Sequence, residues 1–213
     1  MPMLLWSAPA VFMTPVHEDI VVLDVRTDRY ECLVDAAAWL KPAADGSLTV
    51  PDEGVARQLM DAELASDRPP PSRHSLIPAR RALAASTPSS RWDVLRAGLV
   101  LAAATASFRA LSLEALVRSP DRAQSTPARP DDRRLAELVG SAQAAAPFVP
   151  FEGECLQRAH LLRRLLWREG FRPQWIFGVR TWPFGAHCWL QIDDLVVGDT
   201  LDRVRFYTPI MAA

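Results

Sequence analysis

The sequence predicts an α+β protein: a small three-stranded sheet with helices, then a helix-rich stretch that closes in an antiparallel sheet. Three observations predict it. Short runs rich in Val, Ile, Leu and Phe, bounded by turn residues, occupy residues 8–33. Apolar side chains at helical spacing dominate residues 77–168. After Gly170 the pattern returns to strand-length apolar runs separated by Gly, Pro and Asp.

In chain order, residues 9–13, 19–24 and 29–33 read as strands, with residues 25–28 as the turn between the last two. Asp35 is a capping residue type, so a short capped helix is expected over residues 36–40. Asp45-Gly46 is a turn pair. Pro51-Asp52-Glu53-Gly54 opens a further helix, with Val55, Leu59, Met60 and Leu64 at helical spacing. Arg68 followed by Pro69, Pro70 and Pro71 makes a stiff, extended break. The break divides the chain into domains of residues 1–75 and 76–213.

Residues 77–118 are rich in Ala, Leu and Arg and read as helical. Trp92, Leu95, Leu99 and Ala103 share one face, continued by Phe108, Leu111 and Ala115. That face is expected to be buried in a helix pair. Residues 119–131, rich in Pro, Ser, Asp and Arg, read as a surface loop. A helix over 133–144 and an extended segment over 146–151 follow. Residues 152–168 then form an amphipathic helix stopped at Gly170. Residues 174–179, 186–192 and 195–199 read as strands, the last two joined by the tight turn Asp193-Asp194. Residues 204–210 suit one more strand.

Composition narrows the function classes. The hydrophobic fraction of 49% and charged fraction of 23% describe an ordinary globular chain. A net charge of −1 gives no argument for nucleic acid. Residues 1–75 hold 12 acidic and 6 basic side chains, and the remainder 13 and 18, which fits two modules. Lys41 is the single lysine among 24 basic residues, so the arginines reflect a compositional bias more than phosphate binding. The N-terminal uncharged run is broken by Pro2, Pro9 and Pro15 and lacks a charged start, so no signal peptide is expected. The apolar run over 97–108 is too short to span a bilayer. The three cysteines, Cys32, Cys155 and Cys188, are too few and too oddly spaced for a disulfide framework or a metal site. A protein of the reducing cytoplasm, with no membrane anchor and no metal, is expected.

Three residues carry chemistry. Cys155 stands near the start of a helix, His187 near the start of a strand, and Asp199 at the end of the next strand. A helix N-terminus and a neighbouring imidazolium both favour a thiolate, the reactive form of cysteine. A carboxylate on the far ring nitrogen would orient the imidazole. Side chains alternate along a strand, so His187, Trp189 and Gln191 share one face while Cys188 faces away as a small buried hydrophobe. The Cys155 backbone N–H, free at a helix start, is the natural oxyanion donor. Trp182-Pro183-Phe184-Gly185 suits an apolar wall of the cleft, with Trp182 as a substrate contact, or a simple turn between strands.

The run Cys155-Leu156-Gln157-Arg158-Ala159-His160-Leu161-Leu162, closed by Gly170, resembles the lasso peptide biosynthesis B proteins. Ile176-Phe177-Gly178-Val179, His187-Cys188-Trp189-Leu190 and Tyr207-Thr208-Pro209-Ile210 extend the resemblance over about residues 76–213. That family is a papain/transglutaminase-like cysteine protease that removes the leader from a lasso peptide precursor. The resemblance implies Cys155, His187 and Asp199 as the catalytic set of a cysteine peptidase. It also implies an asparagine-synthetase-like cyclase as partner, and no cofactor in this chain. Any ATP requirement would reside with that partner, since no Walker-type Gly-rich loop is present.

Residues 1–75 resemble the winged-helix-like leader-recognition domain related to the pyrroloquinoline-quinone chaperone. The resemblance rests on residues 18–24 and 29–33. In such domains the leader adds a strand to a sheet edge, which implies Tyr30, Cys32, Leu33, Val55 and Leu59 as leader contacts. Two other readings keep the fold: an acyltransferase or transglutaminase, in which an amine replaces water, and a non-catalytic peptide-binding module.

Overall fold

The computed structural model describes residues 2–84, 87–88, 90–118, 131–150 and 154–213. The chain divides into two compact units. One comprises Met1–Leu76, Phe177–Ala186 and Tyr207–Ala212; the other comprises Ile77–Ile176, His187–Phe206 and Ala213.

The first unit opens with β1 (Met3–Ser7), β2 (Val11–Val16), β3 (Asp19–Asp24) and β4 (Arg29–Leu33). β5 (Lys41–Pro42), β6 (Ser47–Val50), α1 (Glu53–Asp61) and β7 (Ala65–Ser66) follow. The expected three-stranded sheet is present as β2-β3-β4, antiparallel throughout. A second sheet, β5-β6-β1-β7, was not expected. Its strands are short, and two span only two residues, too few for an alternation signal. Between them lies a core of Val11, Ile20, Val22, Leu40, Leu48 and Leu59, against which Val55 and Leu33 pack. Helix α1 starts as the sequence predicts: the Asp52 carboxylate accepts from the Val55 N–H at 3.0 Å.

Asp35 does not cap a helix. It adopts a left-handed conformation (φ 55°) before a 3₁₀ turn, Ala36–Ala38, and makes no side-chain cap. Its N–H donates instead to Asp19 Oδ1.

The second unit holds β8 (Arg81–Ala82), α2 (Arg91–Ala110), α3 (Leu113–Val117), α4 (Asp132–Ala145) and α5 (Cys155–Arg168). β9 (Gln174–Arg180), β10 (Gly185–Ile192), β11 (Leu195–Val197), α6 (Leu201–Val204) and β12 (Thr208–Ala212) complete the chain. The sheet order is β12-β9-β10-β11-β8.

Residues 77–84 are not helical. Pro78 lacks an N–H, and the N–H groups of Arg81 and Leu83 donate to the Asp194 and Val196 carbonyls as a sheet edge. Helix α2 begins only after Ser90, whose hydroxyl accepts from the Asp93 N–H. The face with Trp92, Leu95 and Leu99 is exposed, at 73%, 52% and 65%. Ala97, Leu101, Ala104 and Thr105 are buried instead. Small residues allow close helix packing: a Cβ placed on Gly98 would stand 3.7 Å from the Ala145 side chain in α4. An Ala-rich helix offers apolar spacing on several faces, so periodicity alone does not select the buried one.

Residues 146–148 form a 3₁₀ turn containing Pro147, not an extended segment. Most of the expected surface loop, and Phe151 to Gly153, lie outside the described residues. Residues 201–204 are helical because Thr200 caps them, which delays the last strand to Thr208.

Candidate active site

Cys155 is the first residue of α5, and Glu154 makes no side-chain cap there. The sulfur therefore sits at the positive end of a 14-residue helix, beside first-turn N–H groups not taken by a cap from Glu154. The helix is buried around most of its circumference, through Gln157, Ala159, Leu161, Leu162, Leu165 and Leu166. Arg158, Arg164 and Arg168 take its exposed stripe. Buried Arg163 lies over the Trp167 ring at 4.3 Å, a cation–π contact that offsets part of its desolvation. Such packing leaves the helix start little freedom.

The base and its carboxylate come from one hairpin. β10 and β11 pair antiparallel, with Leu190 opposite Val197 and Ile192 opposite Leu195. Asp193 closes the turn at φ 50°. Two residues beyond Val197, the chain has returned alongside the start of β10. His187 Nε2 and Asp199 Oδ2 lie 2.7 Å apart, and the Thr200 N–H donates to Asp199 Oδ1 at 2.7 Å. Nε2 is thus committed to the carboxylate, which leaves Nδ1 for the sulfur, with which the ring also hydrogen-bonds.

Gly198 makes the return possible. Its φ is +77°, and a Cβ there would meet Leu162 Cδ2 of α5 at 2.5 Å. Gly198→Ala should push the Asp199 loop off α5 and add left-handed strain, each effect worth about 1–2 kcal/mol. Thermal melting should fall, and turnover should fall further than stability alone accounts for.

The electrostatics favour a thiolate–imidazolium pair. The Cys155 thiol is brought down to about 4: the hydrogen bond from the Cys188 thiol is the largest cause, opposed by burial and aided by the His187 ring and the Cys188 backbone. Burial pulls His187 down, but the bond to Asp199 and the contact with Cys155 outweigh it, so its imidazolium persists above the usual range. Burial pushes Asp199 up, while His187 and the Thr200 N–H hold it below the usual carboxylate range. The three groups line one pocket with Cys188, Leu162 and Gly198.

Cys188 departs from the sequence expectation. Alternation holds along β10: the His187 and Trp189 rings stack at 6.0 Å, and Trp189 Nε1 donates to Gln191 Oε1. Yet the Cys155 sulfur meets both residues at this step of the strand, taking hydrogen bonds from the His187 ring and from the Cys188 thiol and backbone. Cys188 itself is buried, which raises its own thiol well above the usual value, and it also bonds the Trp175 side chain. It therefore stays protonated and donates. Cys188→Ala should raise the Cys155 pKa and Cys188→Ser should restore part of the shift; the pH dependence of Cys155 alkylation reads both.

Periodicity assigned the Cys188 side chain to the opposite face and so could not flag it. The adjacency of a second cysteine to the base was the available signal. The helix also carries His160, which is neutral and structural. Burial and the nearby Arg164 and Arg163 hold it down to about 4, between the Phe108 and Trp175 rings.

The expected leader contacts lie in the first unit. Tyr30, Cys32 and Leu33 sit on β4, at one edge of the three-stranded sheet. Cys32 is exposed, Tyr30 and Leu33 are half-buried, and the Tyr30 ring lies 5.8 Å from that of Phe184. Leu59 is a core residue and Val55 packs on that core. Trp182 is 74% exposed, and its indole N–H donates to Asp19 at 2.9 Å. It is not among the residues that line the Cys155 pocket.

Among the described residues, no group of three or more His, Cys, Asp or Glu is placed to hold a metal ion. No described helix is long and apolar enough to cross a membrane. The arrangement can form a thioester by acyl transfer to Cys155. The family model described as Transglutaminase-like superfamily matches residues 95–212, a span that contains Cys155, His187 and Asp199. No curated protein and no solved structure matches the chain.

Proposed function

The chain belongs to the transglutaminase-like superfamily, and on that premise we propose that it is a cysteine peptidase that removes the leader from a lasso peptide precursor. The superfamily fold is consistent with thiol peptidases and acyltransferases alike. The observation that carries the thiol chemistry is the Cys155–His187–Asp199 line, with a depressed thiol at a helix N-terminus and a carboxylate 2.7 Å from the far ring nitrogen.

In this mechanism the Cys155 thiolate attacks the carbonyl carbon at the end of the leader. The oxyanion is met by the Cys155 N–H at the start of α5. The His187 imidazolium passes its proton to the departing core amine, the C–N bond breaks, and the leader remains as a thioester. Water, deprotonated by neutral His187, then releases the leader acid and the thiolate. Asp199 keeps the imidazole in the orientation that presents Nδ1.

The same proposal gives the first unit the task of holding the leader. β4 is an edge strand with exposed residues, the geometry that strand addition uses. Tyr30, Cys32 and Leu33 would flank the added strand. Trp182 and Phe184, beside Asp19 and Tyr30, would border it. The freed core amine would pass to an asparagine-synthetase-like cyclase, which would supply any ATP chemistry. The cytoplasm suits a catalytic thiol that must stay reduced.

Incubation with a lasso precursor peptide, followed by mass spectrometry, tests the reading. A leader acid and an unmodified core support it. An amide adduct of the leader would move the assignment to acyl transfer, and an intact precursor bound without turnover would move it to a binding module.

A further inference from the structure

A second cavity adjoins the catalytic pocket within the same unit. It measures about 270 Å³ and is walled by Leu101, Val139, Ala142, Val149 and Leu161. The two share Arg158, Leu162 and Gly198 as lining residues. Arg158 is one helical turn from Cys155, and Gly198 directly precedes Asp199, so the cavity lies against both ends of the reacting line.

Protein interiors are packed with few voids larger than a water molecule. An apolar cavity of roughly 150 Å³ admits a benzene ring, so this one has room for a leucine or phenylalanine side chain. Among the described residues its walls are aliphatic apart from Gln143 and Arg158, and no described carboxylate lines it. A cationic substrate side chain would meet Arg158 there and no counter-charge among the described lining residues. Ala142 and Ala146, one turn apart on the α4 side, keep the volume open by being small.

Taking Cys155 as the nucleophile, we infer that this cavity receives a substrate side chain and selects acyl substrates with a large aliphatic or aromatic group within two residues of the attacked carbonyl. The occupant is the substrate itself, because the cavity is continuous in its lining with the pocket that holds the reacting sulfur.

Dipeptidyl acyloxymethyl ketones test this without knowledge of the natural substrate. Leu, Phe, Gly or Asp is placed in turn at the two positions before the reactive carbonyl. Alkylation of Cys155 is followed by mass spectrometry and expressed relative to iodoacetamide alkylation of the same protein. Leu or Phe at one of the two positions should label at least tenfold faster than Gly or Asp. Ala142→Phe should reverse that order toward Gly. Ala146→Leu, at a half-buried position that folding tolerates more readily, should reduce the preference. Equal labelling by all four ketones, or a preference unchanged in both folded variants, overturns the inference. Failure of iodoacetamide itself to label Cys155 contradicts the nucleophile and removes both readings together.

Discussion

If the proposed function holds, Cys155→Ala should abolish processing, with a loss on the order of 10⁶-fold in turnover, the scale seen when a hydrolase loses its nucleophile. No other thiol can substitute. Cys188 is buried, raised well above the usual thiol range, and committed as a donor. Cys32 is exposed on β4, and burial and Asp19 raise its pKa. Fold and stability should change little, because Cys155 is a half-exposed helix-start residue whose side chain contributes only part of one pocket wall. Circular dichroism and precursor binding retained alongside zero product would separate lost chemistry from lost folding.

His187→Ala should come close to the same loss, for two reasons that act together. The imidazolium helps hold the Cys155 thiol down to about 4. Without it the thiol moves up from that value, while the Cys188 thiol and backbone bonds continue to hold it down, so the thiolate is less favoured than in the wild type. The proton donor for the leaving amine disappears as well. Asp199→Asn should lose less, roughly 10⁴-fold, because the imidazole remains but in the wrong tautomer. The sign is checked by Cys155 alkylation. In the wild type the rate falls only as pH drops through about 4, where the thiolate is protonated. In His187→Ala that fall should occur at higher pH.

The approach of Cys155, His187 and Asp199 to one another was legible because each sits at an element boundary that leaves a local mark. Gly170 ends α5, Asp193-Asp194 closes the hairpin, and the spacing across that turn fixes which residues return beside His187. Side-chain alternation along β10 was also legible, as the His187–Trp189 stacking bears out. What alternation could not convey was that a sulfur from another element would meet the strand between two successive residues, so Cys188 was assigned to the far face. The buried face of α2 was misassigned for a different reason. In an Ala-rich helix the packing face is set by what can approach closely, and the large side chains Trp92 and Leu99 are left outside. The sheet of β1, β5, β6 and β7 was missed because pairing of very short strands is decided by long-range register and not by their own sequence. Gly198 reads as an ordinary turn glycine until the approach of Leu162 is seen.

The most direct test is to trap the acyl-enzyme. The protein is mixed with a lasso precursor peptide, quenched in acid within the first turnover, and its intact mass and peptide map are recorded. The expected result is a covalent adduct with the mass of the leader acyl group, attached at Cys155 and released by hydroxylamine. Cleavage without any adduct at Cys155, persisting in the Cys155→Ala protein, would contradict it.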